Sequence, residues 1–411
     1  MKYGIIGEHL GHSYSKQIHE CIFGYTYELC PLPPKELGGF IRGADYEGLN
    51  ITIPYKKAVI EYLDEISEEA SRIGSVNTVV RRNGRLCGYN TDYYGFMRMA
   101  KRAQTEFSGR KVIILGTGGT SVTAQSVAAD MGAAEIAVVS RSGHINYENV
   151  YRHSDAEIII NTTPVGMYPD NDGQIINPAR FPELRGVLDV VYNPVRTNLV
   201  LDARETGIKA AGGLTMLVCQ AIASAELFTQ TKTNDRLTEF FIGEMHRKFQ
   251  NIVLIGMPGC GKTTVGRELA LQMNREFVDT DDLVVKKEGL SVPDIFARRG
   301  DKEFRKSERA CTAEAAKSGG AVIATGGGCV LDPDNIKALR RNGRIYYLDR
   351  DITALASEGR PLSGGKYALE KLYNERRPLY MNYGDVRICG NKTAECAAKD
   401  ILEDFCENIG D

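Results

Sequence analysis

The run Gly256-Met-Pro-Gly-Cys-Gly-Lys-Thr263 constrains the fold of this chain more than any other stretch. It fits G-x-x-x-x-G-K-[ST] in the setting that the pattern needs. The apolar run Ile252-Val-Leu-Ile255 stands just before it, and the helix-compatible Thr264-Val-Gly-Arg-Glu-Leu-Ala270 follows. A strand, a glycine-rich loop and a helix in that order turn backbone N–H groups inward on a phosphate, and the helix N-terminus adds positive potential. Gly259, Cys260, Gly261, Lys262, Thr263 and Thr264 are therefore candidates to line a nucleotide's phosphates. Lys262 would reach the β- and γ-phosphates, and the Thr263 hydroxyl would ligate Mg²⁺. This α/β unit begins only after residue 250, so the preceding part needs its own account.

A length of 411 residues exceeds what one hydrophobic core usually serves, so two or three domains are expected. A net charge of −2 gives no electrostatic case for binding nucleic acid or an anionic membrane. The 10 cysteines include no C-x-x-C pair, which in a long chain suggests reduced thiols in the cytoplasm, not a disulfide framework or a zinc site. The start MKYGIIGEHLGHS lacks the apolar core of a signal peptide, and no stretch approaches membrane-spanning length. The expected partners are small molecules, in a cytoplasmic protein whose oligomeric state, a homo-oligomer included, is left open.

Near the N-terminus, Lys2-Tyr-Gly-Ile-Ile-Gly7 reads as a strand ending in a tight turn, and residues 16–23 read as a helix. Between them lies Gly11-His-Ser-Tyr-Ser15. Ser13 and Ser15, one residue apart in extended backbone, would point the same way and could bind a polyol or a carboxylate; they would equally serve as helix caps. Asn50-Ile-Thr-Ile-Pro-Tyr-Lys56 reads as a short β-like run ended by Pro54, and residues 61–71 read as a Glu-rich helix. Then come Gly74-Ser-Val-Asn-Thr78, a hairpin around Asn83-Gly84, and Gly88-Tyr-Asn-Thr-Asp92.

H-S-x-S, N-x-T-x-P-x-K, V-N-T and G-x-N-T-D, in this order and at these intervals, resemble shikimate dehydrogenase from about residue 3 to about 230. The resemblance implies that Ser13, Ser15, Thr52, Asn77 and Asp92 hold the hydroxyls and carboxylate of a shikimate-like ring. It makes Lys56 the catalytic acid/base, paired with Asp92. Reducing a ring ketone needs a proton donor at the developing alkoxide, and a Lys–Asp pair can supply one while staying oriented. Two departures from the family stand in the first loops: Lys16 where a proline is usual after the second serine, and Glu8 to Leu10 near the first turn.

Gly109-Arg-Lys-Val-Ile-Ile-Leu115, a glycine-rich turn, a small-residue helix to Met131 and a strand over 135–140 form a βαβ unit of Rossmann type. Gly116, Thr117, Gly118, Gly119 and Thr120 are the candidates at the cofactor's pyrophosphate, with Ser121 where a third glycine would stand. At the end of the second strand, where an acid would hold a ribose 2′-hydroxyl, the chain has Ser140, Arg141 and Ser142. An acid would repel a 2′-phosphate and this trio would bind one, so the cofactor reads as NADP(H). Further strands are expected over 157–161 and 187–191. The resemblance places Asn161-Thr-Thr-Pro-Val-Gly-Met167 by the nicotinamide, Val190 and Gly213 at the cofactor, and Tyr192 and Gln220 at the substrate.

Residues 236–249 have helical spacing, and the boundary between halves is expected near 235–249. Beyond the phosphate loop, Phe277-Val-Asp-Thr-Asp281 reads as a strand end carrying two carboxylates on one face, one for Mg²⁺ and one for an acceptor. Together with Gly300-Asp-Lys-Glu-Phe-Arg305, Gly326-Gly-Gly328, Gly359-Arg-Pro-Leu362 and Arg376-Arg-Pro-Leu-Tyr380, this resembles shikimate kinase across about 251–411. The resemblance implies that Asp279 supports Mg²⁺ and Asp281 contacts and deprotonates the acceptor hydroxyl. Arg305 and Arg376 would pair its carboxylate, Gly327 would touch the ring, and Arg360 would sit on a lid over ATP that includes Ser363-Gly-Gly-Lys366. Two guanidinium forks suit a desolvated carboxylate.

The expected architecture is α/β throughout, a two-lobed dehydrogenase followed by a P-loop kinase domain with a parallel sheet. The dehydrogenase-like part would span 1–240, its substrate lobe about 1–107 and 213–240 and its NADP lobe about 108–212, and the kinase-like part 251–411. The expected function is NADPH-dependent reduction of 3-dehydroshikimate to shikimate, then Mg·ATP-dependent phosphorylation to shikimate 3-phosphate. The alternatives are a quinate/shikimate oxidoreductase fused to a related polyol kinase, and a non-catalytic ligand-sensing regulator.

Overall fold

The computed structural model describes residues 2–10, 14–355 and 366–408. The chain divides into two units: Met1–Asn193 with Thr197–Met245, and His246–Gly410 with Pro194–Arg196. Among the described residues no helix is long and apolar enough to cross a membrane.

The first unit holds two sheets. Strands β1 (Tyr3–Gly7), β2 (Tyr27–Pro31), β3 (Gly48–Ile51), β4 (Glu65–Ile66), β5 (Thr78–Arg82) and β6 (Arg85–Tyr89) form a mixed sheet ordered β2-β1-β3-β5-β6-β4. The hairpin between β5 and β6 turns at Asn83 and Gly84, both left-handed (φ 50 and 75), as an Asn-Gly turn requires. Residues 61–71 do not make the one helix expected of them. A 3₁₀ turn Val59–Tyr62, strand β4 and a helix Glu68–Ile73 replace it. Asp64 exchanges two hydrogen bonds with the backbone of Leu86, which draws the segment onto the sheet, and Ser67 caps the helix by accepting from the Ala70 N–H at 3.2 Å.

The second sheet is wholly parallel: β7 (Lys111–Leu115), β8 (Glu135–Val139), β9 (Ile158–Asn161), β10 (Gly186–Asp189) and β11 (Lys209–Ala211), ordered β11-β10-β9-β7-β8. Its strands are near-continuous apolar runs because both faces are covered. β7 and β8 diverge in chain order from β9, and such a switch point opens a crevice at the carboxyl ends of the strands. Helices Thr91–Arg102 and Leu214–Thr229 carry the chain out of the first lobe and back. They pack closely at Gly95, where a Cβ would lie 2.6 Å from the Met216 carbonyl oxygen.

The second unit has one parallel sheet, β12 (Asn251–Ile255), β13 (Phe277–Asp279), β14 (Val322–Ala324), β15 (Gly343–Asp349) and β16 (Val386–Cys389), ordered β13-β14-β12-β15-β16. The central β12 is buried at every residue and delivers the phosphate loop into helix Lys262–Met273. The helical stretch Val292–Ala316 is broken at Gly300 (φ 80), which starts a fresh helical run just before Arg305.

Candidate active sites

A cavity of about 520 Å³ opens at the carboxyl ends of the kinase-like sheet and one of about 530 Å³ between the lobes of the first unit. The second of these gathers residues far apart in sequence. Ser15, Thr52, Lys56, Asn77, Asp92, Gly119, Thr120, Val190, Tyr192, Gly213 and Gln220 all line it. Lys56 lies past the end of β3 on a helical turn, Tyr55–Ala58, and its Nζ donates to Asp92 Oδ2 at 2.6 Å. Asp92 stands in the first turn of its helix, where the N-terminal dipole favours a carboxylate. Their side chains are 22% and 13% exposed, open enough to meet a ligand and shielded enough to strengthen the pair.

Asn77 is set by its neighbours. Its Oδ1 accepts from the Thr91 N–H at 2.7 Å and from the Thr91 hydroxyl at 3.2 Å, so what it can offer a ligand is its amide N–H. Asn50, the first residue of the N-x-T-x-P-x-K motif and one without a role from the sequence, also lines the cavity. It donates to the Asn77 carbonyl at 3.3 Å and to Thr78 Oγ1 at 3.1 Å, and accepts from the Tyr27 hydroxyl at 2.6 Å. Buried Asp189, which opens the family-like run Asp189-Val-Val-Tyr-Asn-Pro194 but has no role from the sequence, accepts from Asn161, Thr197 and the Val191 N–H at 2.6–3.0 Å, holding the turn that carries Val190 and Tyr192. Gly213 admits no side chain: a Cβ would lie 2.1 Å from the Val190 carbonyl oxygen. Burial raises the Tyr192 phenol above its ordinary range, so it serves as a neutral hydroxyl. Ser13 lies outside the described residues.

At the glycine-rich turn, Gly116 has φ 105, and Gly118 caps helix Gly119–Asp130. Ser121 does not spoil the turn: fully buried, its hydroxyl donates back to the Gly116 carbonyl at 2.7 Å. Thr117, Gly118 and Gly119 are exposed, and so are Arg141 and Ser142 beyond β8, with Ser140 half-buried beside them. This donor-rich, cation-flanked rim fits a phosphorylated dinucleotide.

The kinase-like cavity is lined by Gly259, Gly261, Lys262, Thr263, Thr264, Asp279, Asp281, Arg305, Gly327 and Arg376. Cys260 is not on its wall. The side chain packs into the apolar core, 2% exposed, leaving only its backbone to the loop. Gly256, Gly259 and Gly261 have φ 149, 87 and 102, the left-handed geometry that turns the loop inward. Lys262 donates to the carbonyls of Gly256 and Met257 at 2.9 and 3.0 Å.

The expectation of two carboxylates on one strand face needs correcting. β13 stops at Asp279, whose Oδ1 accepts the Asp281 N–H at 3.0 Å and so starts a helix, Thr280–Glu288, that carries Asp281. Local capping outweighs strand alternation. Asp279 Oδ2 accepts from the Thr263 hydroxyl at 2.9 Å, and this pair of hard oxygen donors suits Mg²⁺. Among the described residues no cluster of three His, Cys, Asp or Glu could form a ready-made cage, and Mg²⁺ is commonly held by one carboxylate together with substrate phosphates. Burial, with Asp279 adding to it, raises the Asp281 carboxyl to about 6, and its Oδ1 is buried without a hydrogen-bond partner.

Arg376 donates to the Gly327 carbonyl at 3.0 Å, and the Tyr380 hydroxyl does so at 2.5 Å, which leaves the Gly327 N–H for a ligand. Arg305 donates to Glu308 Oε2 at 2.7 Å. Glu308, 1% exposed, is a site residue that sequence reading missed, although its place three residues after Arg305 on one helix face was the available signal. Arg360 and residues 363–365 of the lid segment lie outside the described residues, as does the side chain of Lys366.

A family model described as shikimate dehydrogenase substrate binding domain matches residues 5–79, and one described as shikimate kinase matches residues 258–406. The chain is 34% identical over 267 residues to a shikimate dehydrogenase (NADP(+)) of Clostridium beijerinckii, covering 60% of this chain and 99% of that relative. Among solved structures it is similar to a chorismate mutase/shikimate 5-dehydrogenase fusion protein from Clostridium acetobutylicum, with 35% identity, a TM-score of 0.57, and coverage of 59% of this chain and 96% of that one. It is similar also to shikimate 5-dehydrogenase from Thermus thermophilus in complex with NADP(H) and shikimate, with 29% identity, a TM-score of 0.52, and coverage of 59% and 99%. These matches set aside the non-catalytic reading. The chain belongs to the shikimate dehydrogenase family and carries a shikimate kinase domain behind that part, which makes it a bifunctional enzyme of the shikimate pathway.

Proposed function

We propose that the first unit reduces 3-dehydroshikimate to shikimate through Lys56 and Asp92, and that the second phosphorylates the shikimate 3-hydroxyl through Asp281. The observation that carries this is a complete set of reacting groups in each cavity: the Lys56–Asp92 pair at 2.6 Å in one, and Lys262, Asp279 and Asp281 in the other. Half-reactions assayed apart test it. NADPH should be consumed with 3-dehydroshikimate alone, and ADP should form with shikimate and ATP alone; a silent half-reaction removes the corresponding activity.

In the dehydrogenase cavity, Ser15, Thr52, the Asn77 N–H, Tyr192 and Gln220 bind and orient the ring. The Gly116–Thr120 turn would hold NADPH, which would supply the hydride. Lys56 gives a proton to the carbonyl oxygen as negative charge develops there, and Asp92 fixes the ammonium's direction and offsets its charge. Gly213 and Val190, backbone against backbone, leave room for a flat ring to approach. Arg141 would bind the 2′-phosphate. Arg141→Ala should therefore reduce the ratio of kcat/KM for NADPH over NADH by about ten- to a hundredfold, chiefly through KM for NADPH. An unchanged ratio would take Arg141 out of cofactor selection.

In the kinase cavity, Arg305 and Arg376 clamp the substrate carboxylate, and Glu308 holds Arg305 in line. Asp281 then accepts the proton of the attacking hydroxyl. Thr263 and Asp279 would hold Mg²⁺, which supplies charge neutralisation between phosphates. The loop from Gly259 to Thr264 would receive the phosphates by its N–H groups, with Lys262 beside them, and Arg360 would contact ATP.

A further inference from the structure

Arg350 is the first residue after β15, and no motif in the sequence points to it. It nevertheless lines the kinase cavity. Its Nη1 lies 3.7 Å from where a Cβ on Gly261 would stand, so the guanidinium reaches the flank of the phosphate loop. Gly390, just after β16, makes room for its stem: a Cβ there would come within 3.0 Å of the Arg350 Cβ. The Arg350 Nε is buried without a hydrogen-bond partner. The carboxylate next to it in sequence, Asp349, is engaged elsewhere, with Arg387 at 2.6 Å, Arg377 at 3.7 Å and the Tyr347 hydroxyl at 2.8 Å. A half-buried guanidinium without a carboxylate partner among the described residues is suited to an anion that arrives with the substrate.

The sheet order says which anion. Asp281 follows β13 and Gly327 follows β14, so the acceptor groups stand on one side of β12 and its phosphate loop. β15 and Arg350 stand on the other. A phosphoryl group moving toward Asp281 leaves the rest of the nucleotide on the Arg350 side. We propose that Arg350 binds the phosphates that stay with the departing nucleoside diphosphate, as a nucleotide-specific contact that does not touch the acceptor. This rests on the kinase reading of the second unit.

The full-length protein tests it with Mg·ADP as the probe, in wild type, Arg350→Ala and Arg350→Gln. Loss of a charge-assisted contact should raise the Kd for Mg·ADP and KM for ATP by about tenfold or more, with KM for shikimate held within about twofold. Arg350→Lys, which keeps the charge and loses the fork, should recover part of the loss. Mg·ADP affinity unchanged in both neutral variants overturns the inference, as does an equal rise in KM for shikimate. A wild-type protein that neither binds Mg·ADP nor phosphorylates shikimate defeats the kinase reading itself, and the inference falls with it.

Discussion

Replacing Lys56 by alanine is expected to lower dehydrogenase turnover by ~10²–10⁴, the span typical of a lost general acid or base. The Lys56 ammonium donates to Asp92 at 2.6 Å, inside a cavity it shares with the ring-binding candidates and with Gly213 and Val190. The loss should appear in kcat for reduction of 3-dehydroshikimate with NADPH, because the proton is needed as the alkoxide forms. KM for NADPH should change little, and phosphorylation of added shikimate by the same preparation should be untouched. A variant with turnover within threefold of wild type would place the proton donor elsewhere.

Asp281→Asn should silence the other half to a similar degree, ~10²–10⁴ in the rate of phosphorylation, since an amide of the same shape cannot accept the hydroxyl proton. The wild-type pH profile carries a second signature. Burial raises the Asp281 carboxyl to about 6, with Asp279 adding to the shift and Lys262 and Arg305 opposing it. A general base works ionised, so kcat/KM for shikimate should be level above that value. As pH falls through about 6 the folded enzyme takes up a proton at Asp281, and the rate should drop by about tenfold for each further unit. An Asn variant of near-normal rate contradicts the base role.

Much of this was legible in the sequence where local chemistry decides local structure. The phosphate loop, the glycine-rich turn after β7 and the Asn83-Gly84 hairpin each need left-handed glycine or asparagine geometry, and each has it. Reading failed where partners distant in sequence intervene or where capping competes with strand pattern. Asp64 draws its segment against Leu86 and so divides an expected helix. Asp279 caps the helix that carries Asp281 away from the strand. The same division runs through the sites. Lys56 and Asp92 sit in motifs that imply their roles, whereas Asn50 and Asp189 stand in motifs that assign them none and Arg350 in no motif, and all three matter through contacts that only the fold creates. Glu308 lay between these cases, visible as a helical neighbour of Arg305 yet lacking a motif of its own.

The performance of two consecutive reactions at two sites by one chain is open to a single experiment. It is tested most directly by giving the purified full-length protein 3-dehydroshikimate, NADPH, ATP and Mg²⁺ together and following all products over time. NADPH oxidation and ADP formation should stand in one-to-one proportion at completion, with shikimate appearing first and shikimate 3-phosphate after it. Omitting ATP should stop the sequence at shikimate, and omitting NADPH should abolish both products. ADP formed from 3-dehydroshikimate without NADPH, or shikimate accumulating unphosphorylated in the presence of Mg·ATP, would contradict it.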